Sequence, residues 1–145
     1  MKILLPDGAP PSAEPITDLL KTYKAIAVVG LSSNTARPSN GVAEYLQTVG
    51  YRIIPVNPNE REVLGEKSYA RVEDVPEKVE IVDVFRRSDQ VAQVADSAIA
   101  VGAKVLWLQL GVIDDAAAES ARAAGLTVVM DACLYVEHKR RRQSL

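Results

Sequence analysis

The chain has 145 residues, 48% of them hydrophobic, with 17 lysines and arginines against 19 aspartates and glutamates. That length supports one compact core rather than two ordinary domains. The slightly negative balance gives no basic field that would draw the chain onto nucleic acid or an anionic membrane. No apolar run reaches membrane-spanning length, and MKILLPDGAPPS lacks the apolar stretch of a signal peptide. The single cysteine, Cys133, has no partner for an internal disulfide, so the expected setting is the reducing cytoplasm.

In chain order, residues 1–11 carry three prolines and read as an arm, residues 12–140 as one domain, and residues 141–145 as a basic tail. Ile16, Leu19, Leu20 and Tyr23 recur on one face of a short helix. Ala25 to Val29 is a buried strand, followed by a polar loop and a helix from about Pro38, with Val42, Tyr45, Leu46 and Val49 on its inner face. Gly50 ends that helix. Tyr51 to Val56 is a second strand, closed by the turn Asn57-Pro58-Asn59. A short third strand is expected near Lys67 to Tyr69, and a strongly apolar fourth from Val79 to Phe85. Ser88 is placed to cap a helix whose Val91, Val94, Ala95, Ala98 and Ile99 face inward. Lys104 to Leu110 is the fifth strand. Asp114 and Asp115 suit the start of an alanine-rich helix, and Leu126 to Met130 is the sixth strand.

Strands that are apolar nearly throughout and alternate with helices belong in a parallel sheet covered on both faces. The expected fold is a single α/β domain, a Rossmann-like doubly wound sheet with helices on both faces and strand order 3-2-1-4-5-6. Ligands of such sheets bind beyond the carboxyl ends of the strands, where the order reverses. That places a candidate site at residues 30–39, 57–59, 85–87 and 109–111. Gly30 allows a sharp exit from the first strand. Ser32, Ser33, Asn34 and Thr35 bring hydroxyl and amide groups beside backbone N–H groups, and the helix opening at Pro38 turns its positive end toward the same space. Arg37, with Arg86 or Arg87, can meet further anionic groups as planar donors. A plain solvated turn is the alternative. The second strand ends in Asn57 without the carboxylate that a dinucleotide site places there, and the paired glycines of such a site are missing too, which disfavours NAD.

The blocks GLSSNTARPSNGVAEYL, YRIIPVNPN, LGEKSY, VEIVDVFRR, GAKVLWLQLGV and AGLTVVMDACLYVEH, taken together and in order, resemble the small bacterial and archaeal coenzyme A-binding proteins of the YccU type. These are similar in turn to the coenzyme A-binding domain of the succinyl-CoA synthetase alpha subunit. The resemblance runs from about Leu19 to Lys139. It implies a Rossmann-like domain that takes coenzyme A as cofactor, with Gly30, Leu31, Ser32, Arg37, Pro38 and Ser39 forming the phosphate loop and helix entrance. Asn57, Pro58, Phe85 and Arg86 are then expected beside the nucleotide, and Trp107, Gln109 and Gly111 along the pantetheine arm or beneath it. Taken as a member of an apolar strand, Trp107 reads instead as core.

One position departs from the family pattern: Ala132 stands where an arginine is usual before Cys133, so the positive side chain that would favour a thiolate is missing. Cys133 is either a small packed side chain or a thiol able to form a mixed disulfide with coenzyme A. No catalytic or metal-ligating set is apparent, since Glu137 and His138 are adjacent on a helix and face different ways. The leading expectation is a non-catalytic module or accessory subunit binding coenzyme A or an acyl-CoA. The alternatives are an NAD(P)-dependent oxidoreductase and a ligand-free interaction protein on a nucleotide-binding fold. Neither nucleic acid nor membrane is expected as partner, and a protein partner or self-association is left open.

Overall fold

A computed structural model describes residues 1–145. Its elements in chain order are β1 (Lys2–Leu4), α1 (Pro15–Thr22), β2 (Ala25–Val29), α2 (Pro38–Thr48), β3 (Arg52–Val56), β4 (Glu62–Val63), β5 (Glu66–Lys67), β6 (Ile81–Val84), α3 (Val91–Ala100), β7 (Val105–Leu108), α4 (Asp115–Ala123), β8 (Thr127–Met130) and α5 (Leu134–Arg140). Six strands form one sheet in the order β1-β8-β7-β6-β2-β3, all parallel except β1, while β4 and β5 make a separate hairpin.

The central strands are apolar nearly throughout because both faces are covered. Alternate residues of β2 face opposite ways: Ala27 and Val29 join Val91, Ala95 and Ala98 of α3 and Ala117, Ala118 and Ala121 of α4. Ile26 and Val28 join Ile16 and Leu20 of α1, Val42 and Leu46 of α2, and Leu134 of α5. Small alanines on α3 and α4 bring those helices close to the sheet and to each other. The inner faces expected of α1, α2 and α3 are the ones buried, with Tyr23, Tyr45, Val49, Val94 and Ile99 only partly covered at their margins. Asp114 caps α4 by accepting the Ala117 N–H at 3.0 Å.

The core order β3-β2-β6-β7-β8 is the expected doubly wound arrangement, and three local readings are corrected. The supposed arm contributes β1, which pairs antiparallel with β8 from Lys2–Met130 to Leu4–Val128. The third strand is reduced to one parallel bridge between Tyr69 and Val56, because the chain turns back on itself as β4 and β5 just before it. Ser88 does not cap α3. Its hydroxyl accepts the Ile113 N–H at 3.0 Å and so ties the β6–α3 connection to the loop after β7. In the basic tail, Arg141 is held against Glu137 at 3.0 Å and Glu14 at 3.7 Å.

Strand order reverses at β2, whose neighbours are β3 on one side and β6 on the other. The loops after β2, β3, β6 and β7 therefore converge on one edge of the sheet.

Candidate functional site

The loop after β2 is shaped at its first residue. Gly30 has φ of 89°, and a Cβ there would fall on the Phe85 carbonyl oxygen at the end of β6. Only glycine combines that backbone with that approach. The Gly30 N–H donates to the Val56 carbonyl at 2.8 Å, so the exits of β2, β3 and β6 are drawn together. Beyond it the loop is braced from within. The Ser39 hydroxyl accepts the Ser32 N–H at 3.1 Å, the Asn40 amide donates to the Ser32 carbonyl at 2.9 Å, and the Asn57 amide donates to the Leu31 carbonyl at 3.0 Å. The Asn34 side chain accepts the Ala36 N–H at 2.9 Å. Glu60 takes both the N–H and the hydroxyl of Ser33. Several loop donors expected to be free for a ligand are thus engaged within the loop or by Glu60.

These connections surround an open cleft of about 1000 Å³. Of the residues singled out from sequence, Gly30, Ser32, Arg37, Pro38, Ser39, Asn57, Phe85, Arg86, Gln109 and Cys133 line it. Pro58 lines an adjoining cavity of about 580 Å³ that shares Arg86 and Gln90 with the first. Leu31 is fully buried beneath the loop and touches neither. Gly111 is likewise outside both linings, its N–H donating to the Asp131 carboxylate at 2.7 Å. Trp107 is core: it is fully buried, and its indole N–H donates to the Ala132 carbonyl at 2.9 Å.

The cleft carries three guanidiniums and one carboxylate in its lining. Arg37 and Arg86 line it without an acidic partner, whereas Arg87 pairs with Asp89 at 3.4 Å. Arg37 stands at the start of α2, whose first turn carries no acidic residue and whose positive end is therefore uncompensated. Val42, Phe85, Leu110 and Val112 supply apolar wall.

Two features were not drawn from the sequence. Glu60 is the one carboxylate in the cleft lining. Asp83, in the middle of β6, is fully buried; it accepts a hydrogen bond from the Gln109 side-chain amide at 2.8 Å through Oδ1, while its Oδ2 has no partner. Burial pushes the Asp83 carboxyl up to about 7, the Gln109 hydrogen bond opposing. A lone aspartate in the run IVDV is the signal that could have marked it. Glu137 and His138 are not in the cleft lining. Both are buried, Glu137 against Arg140 and Arg141 and His138 against Tyr45, whose hydroxyl lies 2.8 Å from Nδ1. No three His, Cys, Asp or Glu side chains converge as metal ligands. No helix is long and apolar enough to cross a membrane.

Residues 24–139 match the coenzyme A-binding domain family. The chain belongs to that family. The Bacillus subtilis protein YneT is 41% identical over 128 residues, covering 88% of this chain and 95% of YneT. A Pyrococcus horikoshii protein of solved structure superposes with a TM-score of 0.86 at 40% identity, over 97% of this chain and 98% of that one. A dinucleotide-forming acetyl-coenzyme A synthetase of Candidatus Korarchaeum cryptofilum, solved with phosphate and ADP, superposes with a TM-score of 0.68 at 28% identity. That match covers 79% of this chain but only 28% of the synthetase. The coenzyme A-binding fold is therefore present in this chain.

Proposed function

We propose that this protein binds coenzyme A or an acyl-coenzyme A in the cleft at the β2–β6 switch point, as a non-catalytic module or accessory subunit. The observation that carries this is a pair of guanidiniums, Arg37 and Arg86, without acidic partners in one cleft with apolar wall. Coenzyme A joins a pyrophosphate and a ribose phosphate to a long arm of alkyl segments linked by two amides, and the guanidiniums and the apolar wall of the cleft suit these two parts. Arg37 and the start of α2 would take one phosphate group and Arg86 another. Gly30, Ser32 and Ser39 would shape the loop beside them. Phe85, Val42 and Val112 would flank the arm, with Gln109 near its course. Membership of the coenzyme A-binding family supports the same ligand.

Calorimetry with coenzyme A, acetyl-coenzyme A, ADP, NAD and NADP tests the proposal, with Arg37→Ala beside the natural chain. Saturable coenzyme A binding is expected, weakened about tenfold or more in the variant through loss of a charge-assisted hydrogen bond. Binding of NAD(P) without coenzyme A would return the oxidoreductase reading, and binding of nothing would favour an interaction protein.

Cys133 lines the same cleft and is only partly buried. We extend the proposal to exchange at this thiol: its thiolate attacks coenzyme A disulfide, forms a protein–coenzyme A disulfide and releases one coenzyme A thiol. Intact-mass measurement after incubation with coenzyme A disulfide should show one adduct, absent in Cys133→Ser and reversed by dithiothreitol. An unmodified natural chain would leave Cys133 a packing residue.

A further inference from the structure

Asp83 is the one buried carboxylate in the sheet, and no cation or backbone donor accompanies it. Its flanking partners in register are Val28 on β2 and Trp107 on β7. Its single hydrogen bond is the one from Gln109 Nε2 to Oδ1, at 2.8 Å. A carboxyl group buried with half its hydrogen-bonding capacity unused is costly. What it does within the fold is hold that one amide.

Gln109 is otherwise fixed by its backbone. Its N–H donates to the Val84 carbonyl at 3.3 Å, and its carbonyl accepts the Val112 N–H at 2.8 Å. The residue is 4% exposed and lines the cleft. With Nε2 committed to Asp83, the remaining polar atom is Oε1, which has no partner within the chain and is not sealed from solvent. An amide held through one of its two N–H donors in this way has its orientation fixed, with the acceptor oxygen turned away from the carboxyl group that holds it.

We propose that Asp83 is a positioning residue that locks the Gln109 amide with Oε1 toward the cleft, making this wall an acceptor for an N–H on an amide-bearing arm of the ligand. The inference rests on the coenzyme A reading, because coenzyme A has two secondary amides in its arm and adenosine 3′,5′-bisphosphate, its nucleotide part, has none. Asp83 Oδ1 is an acceptor whether the carboxyl is ionised or carries its proton on Oδ2, so the lock holds in both forms.

The test compares coenzyme A with adenosine 3′,5′-bisphosphate by calorimetry on the full chain, its Gln109→Met, Asp83→Val and Asp83→Asn variants, and the Asp83→Val/Gln109→Met double variant. Valine suits a buried strand position, and asparagine keeps the carbonyl acceptor. Coenzyme A affinity is expected to fall tenfold or more in Gln109→Met and in Asp83→Val, with a loss under threefold for the bisphosphate. Asp83→Asn should stay within threefold of the natural chain for both ligands. In the double variant the valine should add less than twofold to the effect of Gln109→Met.

Equal losses for both ligands in Asp83→Val would make Asp83 a structural residue and overturn the proposal, as would additive effects in the double variant. If Asp83→Val does not fold, Gln109→Met decides: coenzyme A affinity equal to that of the natural chain overturns it. A natural chain that binds no coenzyme A removes the functional reading itself, whereas tight binding that is indifferent to Gln109 removes this inference alone.

Discussion

Asp83 makes the stability of this protein depend on pH in a direction opposite to most carboxylates. Its pKa is raised from an ordinary value of 3.8 to about 7 by burial. The folded state therefore holds a proton that the unfolded chain releases near pH 4. The associated stability is fully present below pH 4 and is lost as pH rises through about 7, on the order of 4 kcal/mol in all. Denaturant unfolding of Asp83→Asn and the natural chain at pH 5 and pH 8 should show the variant gaining relative stability at the higher pH. A difference independent of pH would mean that the carboxyl ionises normally. His138 works in the other sense. Burial foremost, with Lys24 and Arg142 adding repulsion, lowers its pKa, so its contribution is present above the ordinary histidine range and lost as pH falls below it. The place of Arg37 in the cleft lining was legible at this scale because a basic residue at a strand–loop–helix junction has few structural uses. Asp83 was not, since its role depends on Gln109, 26 residues away in sequence.

Among the elements, the β2–α2 connection lines the candidate site, and Gly30 is its weak point. A methyl group there meets both an unfavourable positive φ and the Phe85 carbonyl. Gly30→Ala should cost roughly 2 kcal/mol or more in urea unfolding, because strain and a backbone clash act together. A loss under about 0.5 kcal/mol would mean that the loop relaxes freely. The long helices and buried strands were readable because each repeats its own period over several residues, as with Val91, Ala95 and Ala98. Shorter elements were not. β1 has three residues and no alternating pattern, and it exists as a strand because β8 offers it an open edge. Tyr69 likewise pairs with Val56 only because the preceding β4–β5 hairpin returns the chain to that point.

For the whole molecule, the proposed binding of coenzyme A is linked to folding through the convergence of four strand exits. A ligand that bridges the loops after β2, β6 and β7 stabilises the folded state alone. At one hundred times its dissociation constant this amounts to about 2.7 kcal/mol. Scanning calorimetry should then show coenzyme A raising Tm by roughly 8 °C, with the shift reduced in Arg37→Ala and at high salt, where the guanidinium contacts are screened. An unchanged Tm at saturating coenzyme A would argue that the cleft does not take the ligand. By itself the sequence determined the alternation of strand and helix, the double covering of the sheet and the loops that border the cleft. Those follow from local periodicity and from residues whose backbone behaviour is intrinsic. The tertiary structure alone decided that Leu31 and Trp107 lie in the core, that Pro58 faces the neighbouring cavity, that Glu60 engages the Ser33 donors, and that Asp83 reaches Gln109. Each of these depends on which side chains from distant strands share one space, and no local pattern encodes that.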